Sequence, residues 1–135
     1  FYPEWQQRGP GTPIHLPSPP ATFASENAVK RGRELYVLLD CAACHGDTGV
    51  GDGPSAKDLP PDLWGNPQKP FDFTTGRLKS GATVQDIYRT FMTGVGGTAM
   101  PSYADIFEEP DGENIFPGDA WNLVSYIVSL RKPAH

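Results

Sequence analysis

The chain has 135 residues, enough for one domain with a core and too few for two ordinary ones. Eleven Lys and Arg stand against 16 Asp and Glu, a formal charge of −5, which excludes a surface built to neutralise phosphate and hence a nucleic-acid partner. No apolar run approaches the roughly 20 residues that a membrane helix needs, so the chain is expected to be soluble. It opens at Phe1 rather than Met, which leaves open a removed signal peptide, membrane anchor or preceding domain.

Residues 1–24 contain six prolines and no periodic apolar pattern, and they read as an extended arm or linker. The periodic domain is expected over 25–135. Ser25 can cap a helix, with Glu26 in the first turn and Ala28, Val29, Gly32, Leu35, Tyr36 and Leu39 following at helical spacing. From Gly46 to Phe73 the chain is rich in Gly, Pro and Asp and predicts a long loop, with a short helical turn near Ser55 to Leu59. A loop of that length in a compact domain needs something to wrap. Thr83 and Asp86 have the spacing of a capping box, and Val84, Ile87, Tyr88 and Phe91 mark one face of a second helix ending at Gly94. Asp119 is placed to cap a last helix with a buried stripe of Leu123, Val124, Ile127 and Leu130, stopped by Pro133. No strand pattern competes, so the fold class is all-α.

The chemistry centres on Cys41-Ala42-Ala43-Cys44-His45. Two thiols one helical turn apart can add to the two vinyl groups of a haem, and the adjacent His then lies under the iron. The pair closes too short a loop to serve as a structural staple. A redox dithiol and half of a zinc site compete with this reading. The first usually belongs to a β-α-β context, absent here, and the second would need more ligands than His15 and His135 readily supply. For the sixth iron position the chain offers Met92 and Met100. Met92 falls inside a predicted helix and reads as packing. Met100 follows Gly96-Gly97-Thr98-Ala99 and precedes Pro101, a turn able to aim one side chain inward. Met100 is therefore the expected partner of His45, with His15 an alternative only if the arm folds across the haem.

From Ser25 to about Lys132 the chain resembles the class I c-type cytochromes: Cys41, Cys44, His45, Met100-Pro101, Gly32 and Tyr36 on the first helix, Tyr126 on the last, and Pro54 in Gly51-Asp52-Gly53-Pro54. The resemblance implies one covalent haem c, N- and C-terminal helices crossing closely with loops wrapped around the haem, and a Pro54 carbonyl accepting from the other nitrogen of His45. It implies assembly outside the cytoplasm, in the periplasm or on the outer face of the membrane. The stretch from Phe71 to Gly81, leading into Asp86-Ile87-Tyr88-Arg89-Thr90, is similar to monohaem subunits and fused cytochrome domains of bacterial respiratory enzymes. Trp64, Arg77 and Lys79, lying between the two ligands, are candidate partners of the haem propionates. Leu59, Trp64, Phe71, Phe73 and Tyr103 are candidate pocket walls.

The expected function is single-electron transfer in an extracytoplasmic chain, with redox proteins or neighbouring domains as transient partners and no catalysis by this chain. Two rivals remain. One is an electron input or output domain of a larger oxidoreductase, which the Pro-rich arm favours. The other is a gas-binding or peroxidase-like protein in which Met100 is labile. Six acids and no base between Ala104 and Asp119 make a local negative field that is either a solvated face or a guide for a basic partner.

Overall fold

The computed structural model describes residues 6, 7, 9–78 and 81–132. Among them all regular structure is helical. Helix α1 (Glu26–Leu38) starts where the Ser25 hydroxyl accepts the Ala28 N–H at 3.2 Å, with Glu26 facing the positive end of the helix. Asp40, at φ 61°, turns the chain into the short α2 (Ala42–His45); Asp tolerates this left-handed conformation better than most residues.

The described residues between 46 and 83 are irregular except for 3-10 turns at Ala56–Asp58 and Phe73–Thr75. Helix α3 (Val84–Thr93) carries the expected capping box: the Thr83 hydroxyl accepts from the Asp86 N–H and the Asp86 carboxylate from the Thr83 N–H, each at 3.1 Å. The helix ends at Gly94. A five-residue α4 (Ala104–Glu108) and the closing α5 (Asp119–Ser129) complete the order.

The core lies where α1 crosses α5. Leu35, Tyr36, Leu123, Val124 and Ser125 are fully buried there, and the Tyr36 and Tyr126 rings meet edge to face at 5.2 Å. Gly32 makes the crossing possible: a Cβ at this position would lie 2.0 Å from the Asn122 carbonyl oxygen and 2.6 Å from the Tyr126 Cβ. Helix α3 packs on the same core through Ile87, Tyr88, Phe91 and Met92, and Met92 is 2% exposed, a packing residue as its position in the helix suggested. The end of the arm joins this core: Ile14 and Phe23 pack on it, Phe23 meets the Trp121 ring at 5.7 Å, and the Ala24 N–H donates to the Ser125 hydroxyl at 3.0 Å.

Asp119 does not cap α5 with its side chain. Gly118 takes the cap position, at φ 88°, and the Asp119 carboxylate instead accepts both Nε and an NH2 group of Arg31 on α1, at 3.1 and 2.7 Å, and the Phe116 N–H at 2.9 Å. Periodicity shows where a helix begins, but not that a cation 88 residues earlier will turn toward its first carboxylate. Burial works to raise the pKa of Asp119, but the guanidinium, the Phe116 N–H and the Asn122 amide outweigh it and hold the carboxyl below its ordinary value.

Two outcomes follow from the crossing. Gly32→Ala forces a methyl group into backbone and should cost about 3 kcal/mol, the upper end of ordinary overpacking, read as a lowered denaturant midpoint. The pair between Arg31 and Asp119 contributes fully above the unfolded carboxylate pKa of about 4 and is lost as pH falls through the lower folded value. Asp119→Asn should therefore cost about 2 kcal/mol at neutral pH, and its deficit relative to the parent should shrink in unfolding curves taken near pH 3.

Candidate functional site

Helix α2 sets the two thiols and the imidazole on one short frame. The His45 N–H bonds to the Cys41 carbonyl at 2.9 Å, so Cys41 and Cys44 stand one turn apart with His45 next along the chain. The following loop closes onto the carbonyl end of this helix: Gly51, Gly53 and Ser55 donate to the carbonyls of His45, Cys44 and Ala43 at 2.8, 3.1 and 2.8 Å. Gly53 lies so close that a Cβ would come within 2.3 Å of the Ala43 oxygen. Tyr36 ties the frame to the helix crossing, its buried hydroxyl donating to the Gly46 carbonyl at 2.7 Å.

The His45 ring is half-buried and held from two sides. It stacks on Phe73 with centroids 4.3 Å apart, and its Nδ1 lies 3.2 Å from the Phe71 carbonyl oxygen. A carbonyl only accepts, so Nδ1 carries the proton and Nε2 keeps its lone pair. The resemblance led to the Pro54 carbonyl for this role, and here the structure differs. The loop around Pro54 uses its neighbouring N–H groups on α2, while the Phe73 N–H bonds to the Gly49 carbonyl at 2.8 Å and draws residues 70–73 alongside the ring. Burial holds the His45 pKa below its ordinary value, opposed by the Phe71 contact, which favours the neutral, ligating form.

Cys41 and Cys44 are half-buried and are not joined to each other in a disulfide. Burial pushes the Cys41 thiol up to about 11, the reverse of the lowered pKa that activates a redox dithiol. Among the described residues no group of three or more His, Cys, Asp or Glu is placed to hold a metal ion, and His135 lies outside those residues. His15 is described and is exposed on the arm.

The segment carrying Met100 reaches the same place from the other side of the chain. Tyr103, three residues beyond it, donates its hydroxyl to the Leu39 carbonyl at 3.3 Å, and burial, with Cys41 and Asp40 nearby, pushes that phenol up to about 12. Met100, Tyr103, Cys41, Ala42, Phe73 and Leu78 are all partly buried and pack against the core. One neutral imidazole nitrogen, one thioether, two thiols and a rim of half-covered apolar side chains fit a flat apolar macrocycle with a metal at its centre.

The expected polar partners separate. Arg77 lines a surface recess of about 720 Å³ together with Lys69, Pro70, Phe71, Asp72 and Thr75, so two cations stand beside the backbone that holds His45. Lys69 was not singled out from the sequence, where a lysine between prolines carries no sign of what it faces. Trp64 lies elsewhere, its ring against Gly97 ahead of Met100. Lys79 lies outside the described residues.

Comparison with known proteins agrees with this geometry. The chain is 25% identical over 105 residues to a thiosulfate dehydrogenase of Stutzerimonas stutzeri, covering 78% of this chain and 28% of that protein. It superposes with a TM-score of 0.79 and 38% identity on a chain of the reducing HAO-like protein complex of Kuenenia stuttgartiensis, covering 95% of this chain and 54% of that one. It thus spans about half, or less, of the relatives it matches. The family model for cytochrome c matches residues 29–131, and with the crossing helices and the Cys41 to His45 frame in place, the chain belongs to the cytochrome c family as an electron-transfer domain.

Proposed function

We propose that this chain carries one haem c through thioether bonds from Cys41 and Cys44, with His45 and Met100 as the axial ligands, and that it relays single electrons outside the cytoplasm. The observation that carries the reading is the His45 ring, fixed by Phe71 and Phe73 with Nε2 left as the only nitrogen able to bind a metal. When bound, the haem supplies an Fe(III)/Fe(II) couple that changes charge without bond rearrangement. The residues of the chain do the rest. His45 and Met100 would be the residues that hold the iron, leaving neither oxidation state in need of a water. The apolar rim would lower the local dielectric and disfavour the more highly charged ferric state. Lys69 and Arg77, which line the recess beside Phe71, would be the cations that meet the propionates, and Pro54 lies in the loop that closes α2.

A second reading extends the first. Both relatives are longer than this chain, and one of them sits in a protein complex. The domain then serves as the electron input or output of a larger redox assembly, with the 1–24 arm as its link and with catalysis elsewhere. Among the described residues no helix is long and apolar enough to cross a membrane, so any anchor on this reading belongs to another segment or another subunit.

The native protein should show c-type absorption in both redox states and, in the ferric state, the far-red charge-transfer band of a thioether on iron. Met100→Ala should abolish that band, lower the reduction potential and let the ferrous protein bind carbon monoxide. An unchanged band and potential would show that another residue holds the sixth position, and avid carbon monoxide binding by the unaltered protein would favour the gas-binding alternative.

A further inference from the structure

Outside the ligand frame, one segment is built more firmly than its exposure suggests. Leu63 and Trp64 are 82% and 72% exposed, yet the turn that presents them is tied down throughout. The Asp62 carboxylate accepts from the N–H groups of Trp64 and Asn66 at 2.9 and 2.8 Å and from the Asn66 side chain at 3.3 Å, while backbone bonds join Asp62 to Asn66 and Gly65 to Asp62. This is an Asx-type turn closed from both its side chain and its backbone.

The turn then grips the segment that precedes Met100. The Leu63 N–H donates to the Gly97 carbonyl at 3.1 Å. The Trp64 ring covers Gly97 so closely that a Cβ there would lie 2.8 Å from it. Gln68 completes the hold with both ends of its amide: Nε2 donates to the Pro60 carbonyl at 2.8 Å, and Oε1 accepts the Ala99 N–H, also at 2.8 Å. Ala99 is the residue before Met100. On its other side the Met100 segment is fixed by Val95 N–H to the Met100 carbonyl at 3.1 Å and by the Thr98 hydroxyl, which accepts the Met100 N–H at 3.2 Å. Gly96 and Gly97 would leave the approach to Met100 free to swing; the contacts to residues 60–68 remove that freedom.

We propose that residues 60–68 form a clamp on the Met100 segment, with Gln68 and Trp64 as positioning residues that keep the thioether in place against competing ligands. The inference rests on Met100 being the axial ligand. Holding the backbone on both sides of a ligand lowers the entropy it gains by dissociating, so the bond resists displacement without any new contact to the metal. A merely structural loop would affect unfolding alone. A clamp affects ligand exchange in the folded protein.

The test uses the native holoprotein in its ferric state and titrates it with imidazole while following the thioether band. Gln68→Ala removes one hydrogen bond on Ala99 and should raise the apparent imidazole affinity roughly three- to tenfold. Gln68→Glu keeps an acceptor for the Ala99 N–H but loses the donor to the Pro60 carbonyl, and should fall between Gln68→Ala and the parent. Trp64→Ala should act in the same direction as Gln68→Ala while leaving the α1 and α5 crossing untouched. Imidazole affinities in Gln68→Ala and Trp64→Ala equal to the parent's, with the band present, overturn the clamp and leave the Met100 assignment standing. Absence of the band from the parent protein overturns both.

Discussion

Everything at this site depends on how closely α1 and α5 approach each other. Gly32 lets the backbone of one helix rest on the Asn122 and Tyr126 positions of the other, and the residue one turn further along α1, Tyr36, is thereby buried against Tyr126 with its hydroxyl directed at Gly46. Gly46 is the residue after His45. A contact between the two ends of the chain thus reaches the imidazole through a single side chain. Separating the helices by the width of a methyl group would displace Tyr36 and, with it, the carbonyl end of α2.

Much of this was legible in advance because it is local. Ser25, the Thr83 and Asp86 box, and the 3.6-residue stripes set the starts of α1 and α3 and the buried face of α5, since capping and amphipathicity are properties of a few neighbouring residues. The Cys41 to His45 turn was legible for the same reason, being five consecutive residues. What escaped prediction depends on partners brought together only by the fold. The acceptor on His45 is a backbone carbonyl, a group every residue owns, so nothing in Phe71's identity announces it. Asp119 looked like a cap because it opens a helix, and its true partner, Arg31, stands at the other end of the chain. Gln68 is an ordinary loop glutamine until Pro60 and Ala99 are seen on either side of it.

The acidic stretch after Met100 has a structural use that composition alone does not show. Asp111 gathers the N–H groups of Ile115, Glu113 and Asn114 onto one carboxylate oxygen, which holds its pKa down to about 2, and Asp119 is spent on Arg31. Two of the six acids therefore build the loop. This segment runs from Tyr103, bonded at Leu39, to Asn114 and Asp119, bonded at Arg31, so it lies along one flank of α1. Asp105, Glu108, Glu109 and Glu113 remain exposed on it.

That the Phe71 carbonyl holds His45 also bears on how such a domain can be tuned. A hydrogen bond to Nδ1 makes an imidazole a better donor to a metal, and here the acceptor belongs to the main chain, beyond the reach of any direct substitution. Its strength can be altered only by the groups that place residues 70–73: Gly49, whose carbonyl takes the Phe73 N–H, and Gly51, where a Cβ would come within 2.6 Å of the Pro70 oxygen. On the proposed ligation, variation in a redox property would then be written in glycines that pass beside the backbone of residues 70–73, and two relatives with identical side chains around the metal could differ because one has lost the room for its backbone to pass.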